Sequence, residues 1–214
     1  MLCTSTVVEI SAIYSVLKGG EVRAAPVTIN GTDISFRAEP VVHEYSVDEL
    51  SERMPLVVVD VKGLGKENLD DKLLSKIKFR GSDVWFLTHI YNVEDVFDCF
   101  MGDIAKAMVP YHTTRTDYVM VEIHDVSENC IPVLFVVKGR VACRGGNTKD
   151  IRTSVDEIAR IGFREIAVFD TDSSLMNEDW VSLKDRFRNI IPFVRSKESG
   201  IREIGFEMII SDYL

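Results

Sequence analysis

Eight short, almost wholly apolar runs punctuate this sequence, and they limit its fold more than any other feature. They are TVVEISAIY (residues 6–14), PLVVVDV (55–61), DVWFLTHI (83–90), AKAMVPY (105–111), IPVLFVV (131–137), EIAVFDT (165–171), IIPFVRS (190–196) and FEMIISD (206–212). A strand with one wet face alternates apolar and polar residues. A continuous run means that both faces are covered, as in a parallel sheet flanked by helices.

Helical periods fill the gaps. Leu69, Leu73, Leu74 and Ile77 share one face, and Val93, Val96, Phe97 and Phe100 are expected inward on the next helix. Ile151, Val155, Ile158, Ala159 and Ile161 line up before a stop at Gly162, and Trp180, Leu183 and Phe187 repeat the pattern. TDYVMVEIHDVSE fits a helix by its position and a strand by its β-branched residues. Strand followed by helix, repeated, is α/β, and eight strands favour a closed (βα)8 TIM barrel over an open doubly wound sheet. All 214 residues read as one barrel domain. Only KESGIREIG separates the last two runs, so helices near the C-terminus are expected to be reduced. Residues 19–42 alternate like strands around Asn30-Gly31, which predicts a hairpin in the first loop, over the C-terminal mouth.

Composition narrows the function classes. With 34 acidic against 25 basic residues, the net charge is −9, which argues against a broad nucleic-acid surface. The four cysteines lie far apart without a CxxC pair, and the four histidines lack metal-ligand spacing. The expectation is a cytoplasmic protein with reduced thiols, no metal and no cofactor. No run reaches the ~18 apolar residues of a membrane span, and the N-terminal segment reads as a first strand rather than a signal peptide. The expected partners are a small anionic or phosphorylated metabolite and further copies of the chain, not nucleic acid or membrane.

Barrel strand ends converge on one mouth, so their polar residues are the site candidates. The densest cluster follows the fourth run: Tyr111, His112, Thr113, Thr114 and Arg115. His transfers protons near neutral pH and Arg clamps anions; the alternative is a polar loop whose Thr caps the next helix. Thr88 and His89 follow the third run, Asp60 the second, and Asp170 and Asp172 the sixth. Lys138 and Arg144, beside Gly145 and Gly146, offer either an anion site or a solvated loop, and Ser199 and Gly200 follow the seventh run. His112, Asp60 and Asp170 are the catalytic candidates. The remaining substrate-binding candidates are Thr88, His89, Tyr111, Thr113, Arg115, Lys138, Arg144, Asp172, Ser199 and Gly200.

These landmarks together resemble one family, the phosphoribosylformimino-5-aminoimidazole carboxamide ribotide isomerases of histidine biosynthesis and their cyclase relatives. In ISAIYSVLKGGEVRAAP the matching residues are Gly19, Gly20, Val22 and Arg23; in VVVDVKGLGKENLD they are Val58, Val59, Asp60, Gly63 and Asn68. FVVKGRVACRGG looks like the family's fifth strand and FDTDSSLMNED like its sixth. The resemblance implies a (βα)8 barrel whose aldose-to-ketose isomerisation uses two aspartates, at the ends of strands one and five. Those positions hold Tyr14 and Phe135 here. The glycine turns that bind the family's phosphates are also replaced, by Thr88 and His89 after strand three and by all but Gly200 after strand seven. The expectation is therefore a divergent relative without the parent reaction. It either performs isomerase- or lyase-type chemistry on another small metabolite or serves as a non-catalytic binding or assembly subunit.

Overall fold

A computed structural model of the chain describes residues 7–18, 21–24, 27–30, 35–38, 55–77, 83–114, 116–194 and 199–212. Eight parallel strands form its centre: β1 (Val8–Lys18), β5 (Leu56–Asp60), β6 (Val84–Leu87), β7 (Lys106–Pro110), β8 (Cys130–Val137), β11 (Ile166–Asp170), β12 (Ile190–Val194) and β13 (Met208–Asp212). Each pairs with the next in chain order, and β13 returns to pair with β1, for example Ile10 opposite Ile210. The sheet has closed on itself, and the chain is a (βα)8 barrel, with all eight apolar runs as its staves.

Closure divides each strand between two cores, because successive side chains point to opposite faces. Val57 and Val59, Trp85 and Leu87, Phe135, Phe169, Phe193 and Ile210 belong to the interior cluster. Their neighbours Leu56, Val58, Phe86, Leu134, Val168 and Ile209 pack outward with the helices. Those helices are α1 (Val61–Lys66), α2 (Asp71–Ile77), α3 (Val93–Met101), α4 (Asp117–Val126), α5 (Ile151–Ile161), α6 (Asn177–Arg186) and α7 (Ser199–Glu203). The ambiguous TDYVMVEIHDVSE is the helix α4, burying Val119, Met120 and Ile123. Its position between parallel strands overrides the strand preference of its valines and isoleucine. On α3 the expected inward set needs correction. Val96 and Cys99 are buried, whereas Phe97 is half exposed. At five residues, α7 is the reduced helix expected near the C-terminus.

Two excursions leave the barrel at its C-terminal mouth. In the first loop, β2 (Glu21–Ala24) folds back antiparallel on β1, and β3 (Val27–Asn30) pairs with β4 (Ser35–Ala38) as the hairpin expected there. The Asn30-Gly31 turn itself lies outside the described residues. The second follows β8. Val137 and Arg140 face each other across Lys138 (φ 51°) and Gly139 (φ 70°), a two-residue turn of the kind that matches strand twist. Beyond it β9 (Arg140–Ala142), a short 3-10 turn at Arg144–Gly146, and β10 (Thr148–Asp150) form an arm that rises beside the mouth.

Candidate functional site

The barrel interior is filled with aromatic rings. Phe169 stacks on Phe193 with centroids 4.1 Å apart, and Phe135 packs against Phe169 at 5.2 Å. Phe135 on β8 and Tyr14 on β1 are both buried. The Tyr14 hydroxyl donates to Asp212 Oδ1 at 2.7 Å, tying the end of β1 to the end of β13. A phenyl ring has no exchangeable proton, so this pair cannot relay protons as two carboxyls would.

Above this stack one side of the mouth stays open. A cavity of about 640 Å³ lies between the ends of β6, β7 and β8 and the arm. Its wall includes His89, Tyr91, His112, Thr113, Val137, Lys138, Arg140 and the turn from Cys143 to Thr148, with Leu64 on α1 and Glu67 at its C-terminal end. A similar volume beside Asn177, Val181 and Asp185 is a surface hollow on α6, away from the strand ends. The alternation of the barrel strands places the two histidines. His89 and Tyr91 continue the inward set Trp85 and Leu87, and His112 continues the set of Met108. His112 meets the edge of Phe135 at 5.0 Å, so the aromatic core forms the cavity floor.

Both imidazoles are poised as uncharged groups. Burial lowers the His89 pKa; Asp95 and Glu67 oppose this and Arg144 adds to it. Burial, helped by neighbouring His89, lowers His112 to about 4. The Nδ1 atoms of both rings are buried without a hydrogen-bond partner among the described residues. Each such atom is an unmet hydrogen bond that costs about 1–3 kcal/mol. At the rim, the Arg144 guanidinium lies over the Tyr91 ring at 4.7 Å and donates to its hydroxyl at 3.4 Å. Gly145 and Gly146 next to it have φ of 70° and 75°, which lets the arm turn sharply with open space over Gly146.

The structure places Asp60, Thr88, Tyr111, Asp170 and Asp172 outside the lining of this cavity. Asp60 and Thr88 share the outward parity of Val58 and Phe86. Asp60 is fully buried and accepts from Gly63 N–H (2.7 Å), Thr88 Oγ1 (2.8 Å) and Asp70 N–H (3.2 Å), so it organises the loop after β5. Burial raises its pKa against the pull of these donors. Asp170 likewise points outward, accepting from Ser174 and Leu175 N–H, and burial raises its pKa too. Asp172 accepts the Lys138 N–H at 2.9 Å, bracing the foot of the arm. Tyr111 faces the helices, where its hydroxyl accepts from Lys149 at 2.9 Å and donates to Asp117. Thr113 lines the cavity, but its hydroxyl is bound to the Ile90 carbonyl at 2.7 Å. Ser199 and Gly200 begin α7, and Gly200 adjoins Asn177 instead of the cavity. Arg115 lies outside the described residues.

Of the sequence candidates, His89, His112, Thr113, Lys138 and Arg144 therefore meet. Tyr91 and Arg140 join them unforeseen. Tyr91 was findable by carrying the strand alternation two residues past His89. Among the described residues no group of three or more His, Cys, Asp or Glu side chains is arranged to hold a metal ion. No helix there is long and apolar enough to cross a membrane.

Fold and site together define the class: a (βα)8 barrel with an aromatic interior and a half-open C-terminal mouth carrying two uncharged histidines under a cationic rim. The sequence matches no protein-family model and no curated protein.

Proposed function

We propose that this barrel binds a small anionic metabolite in the mouth cavity, and that it is a divergent relative of the histidine-biosynthesis isomerases without their reaction. The observation that carries this reading is the pairing of His89 and His112 with Lys138, Arg140 and Arg144 around one cavity of about 640 Å³. If chemistry remains, it is proton transfer of isomerase or lyase type. His112 is then the acceptor, since an uncharged imidazole can take a proton from a bound substrate. Ligand-observed NMR against a panel of sugar phosphates and organic acids tests the reading. Competitive binding lost in His112→Gln supports it, and a panel with no binder refutes it. With the parent family's own substrate we expect no turnover, because neither Tyr14 nor Phe135 supplies a carboxylate.

A second reading, a non-catalytic assembly subunit, is favoured by the filled interior and by apolar side chains left outside. Phe97 and Met101 on α3 and Tyr118 on α4 are 50%, 81% and 67% exposed. Burying them against another copy would give a homo-oligomer, and a monomeric mass by light scattering at micromolar concentration would refute it. A cytoplasmic location is supported by the free thiols of Cys99, Cys130 and Cys143.

A further inference from the structure

Among the described residues three side-chain polar atoms are buried without a partner: Ser15 Oγ, His89 Nδ1 and His112 Nδ1. Two of the three belong to residues lining the mouth cavity, and His89 is only 7% exposed. The charges of the cavity wall point to the ligand it would take. Among the described residues this wall carries three cationic side chains and one carboxylate, Glu67, in a chain whose net charge is −9. Arg140 is turned toward Thr148, donating from Nε at 2.9 Å. Arg144 is held at the rim by Tyr91, and Lys138 is exposed on the turn below it, with no ion-pair partner among the described residues.

We propose that the cavity is a proton-linked site for a compact dianion: Lys138 and Arg144 meet its charge at the rim, and its inner oxygens sit on the imidazoles of His89 and His112, which together gain one proton as it binds. The proposal rests on reading this cavity as the ligand site, and adds the ligand's charge and the linkage. The charged groups acting on His89 are Asp95 on α3, Glu67 at the C-terminal end of α1 and Arg144 on the arm; the ionisable group acting on His112 is His89. In the empty cavity burial keeps both rings uncharged near neutrality. A dianion in contact favours the imidazolium, so the complex holds more protons than the free protein between the two pKa values. Affinity must then rise as pH falls, by up to about tenfold per pH unit for one proton.

Calorimetric titration with sulfate, a dianion across the whole range, tests this directly, and malonate serves as the dicarboxylate arm. Sulfate is expected to bind about fivefold or more tightly at pH ~6.5 than at pH ~7.5. Proton uptake of about one should emerge from buffers of different ionisation enthalpy. The stronger of the two probes identifies the source as a tetrahedral oxyanion or a carboxylate. His89→Gln and His112→Gln should each flatten the pH dependence. Lys138→Gln and Arg144→Gln, both at exposed positions, should weaken binding about tenfold at either pH without altering the circular dichroism. Binding that does not vary with pH, or a pH dependence that survives both imidazole replacements, would overturn the proton linkage and leave the cavity a ligand site. Binding indifferent to Lys138→Gln and Arg144→Gln places the dianion elsewhere and overturns the proposal. Failure of both dianions while an uncharged sugar binds overturns the dianion class alone. Failure of every probe overturns the ligand site as well.

Discussion

At the scale of single residues, the buried acids of this barrel build loops. Asp60 satisfies two backbone N–H groups and the Thr88 hydroxyl at once. Asp60→Ala should therefore cost about 3–5 kcal/mol in denaturant unfolding, because three donors lose their acceptor inside the protein. Thr88→Val, which removes one donor, should cost only about 1 kcal/mol. A milder loss for Asp60→Ala than for Thr88→Val would show that the loop does not depend on the carboxylate. His112 makes a pH-dependent prediction. Its folded pKa is about 4, below the ordinary 6.5, so the unfolded chain binds more protons between those values. Its contribution is complete above about pH 6.5 and lost as pH falls toward 4, amounting to about 3 kcal/mol at most. Stability measured across that range should fall less steeply in His112→Gln than in the wild type. The site was partly legible at this scale. His89 and His112 are legible from strand-end position, and Lys138 and Arg144 from their place beside Gly145 and Gly146. Asp60, Asp170, Thr88 and Tyr111 occupy the same strand ends, but their side-chain parity turns them toward the helices.

At the scale of elements, the arm and the helix caps make separate claims. The arm is stitched to the helical layer by Lys149, whose ammonium donates to Tyr111 Oη at 2.9 Å and Glu157 at 3.0 Å. Most of this cluster is solvent-accessible, so Lys149→Met should change global stability by about 1 kcal/mol or less. The same substitution should speed hydrogen exchange at arm amides such as Cys143, whose N–H is bonded to the Asn147 carbonyl, without affecting exchange in β8. Equal acceleration in both would contradict a local latch. Helix α5 ends at Gly162, where φ is 111° and an added Cβ would lie 3.0 Å from His124 Nε2. Gly162→Ala should lower stability by about 1–2 kcal/mol in thermal or denaturant unfolding. The Gly162 stop of this helix is legible in the sequence; the Asp150 cap, which accepts from Thr153 N–H, comes from the structure. The phase of α3 was not, since Cys99 and Phe97 are both apolar and only the packed surface selects between them.

At the scale of the whole molecule, barrel closure makes Phe135 part of one continuous aromatic column with Phe169 and Phe193. Phe135→Asp, alone or with Tyr14→Asp, should not create isomerase activity. It should destabilise the fold by about 4 kcal/mol or more, because the new carboxylate would be buried among rings without a partner. A folded double variant that turned over the substrate of the isomerases the sequence resembles would overturn this account of the interior.

The sequence by itself determined the class of fold. Eight runs apolar on both faces, spaced by helical periods, have few solutions other than a parallel barrel, since each run must be covered twice. It also fixes that positions 14 and 135 carry Tyr14 and Phe135 and no carboxylate, because side-chain chemistry is written directly in the residue. The tertiary structure decided which strand-end residues meet. Alternate residues of one strand face opposite cores, so neighbours such as Thr88 and His89 part company, one toward Asp60 and the helices, the other into the mouth. The arm then brings Arg140 and Arg144 back over His89 and His112 across tens of residues. That encounter depends on the turn at Lys138-Gly139 and on closure of the sheet, and no local pattern of residues encodes it.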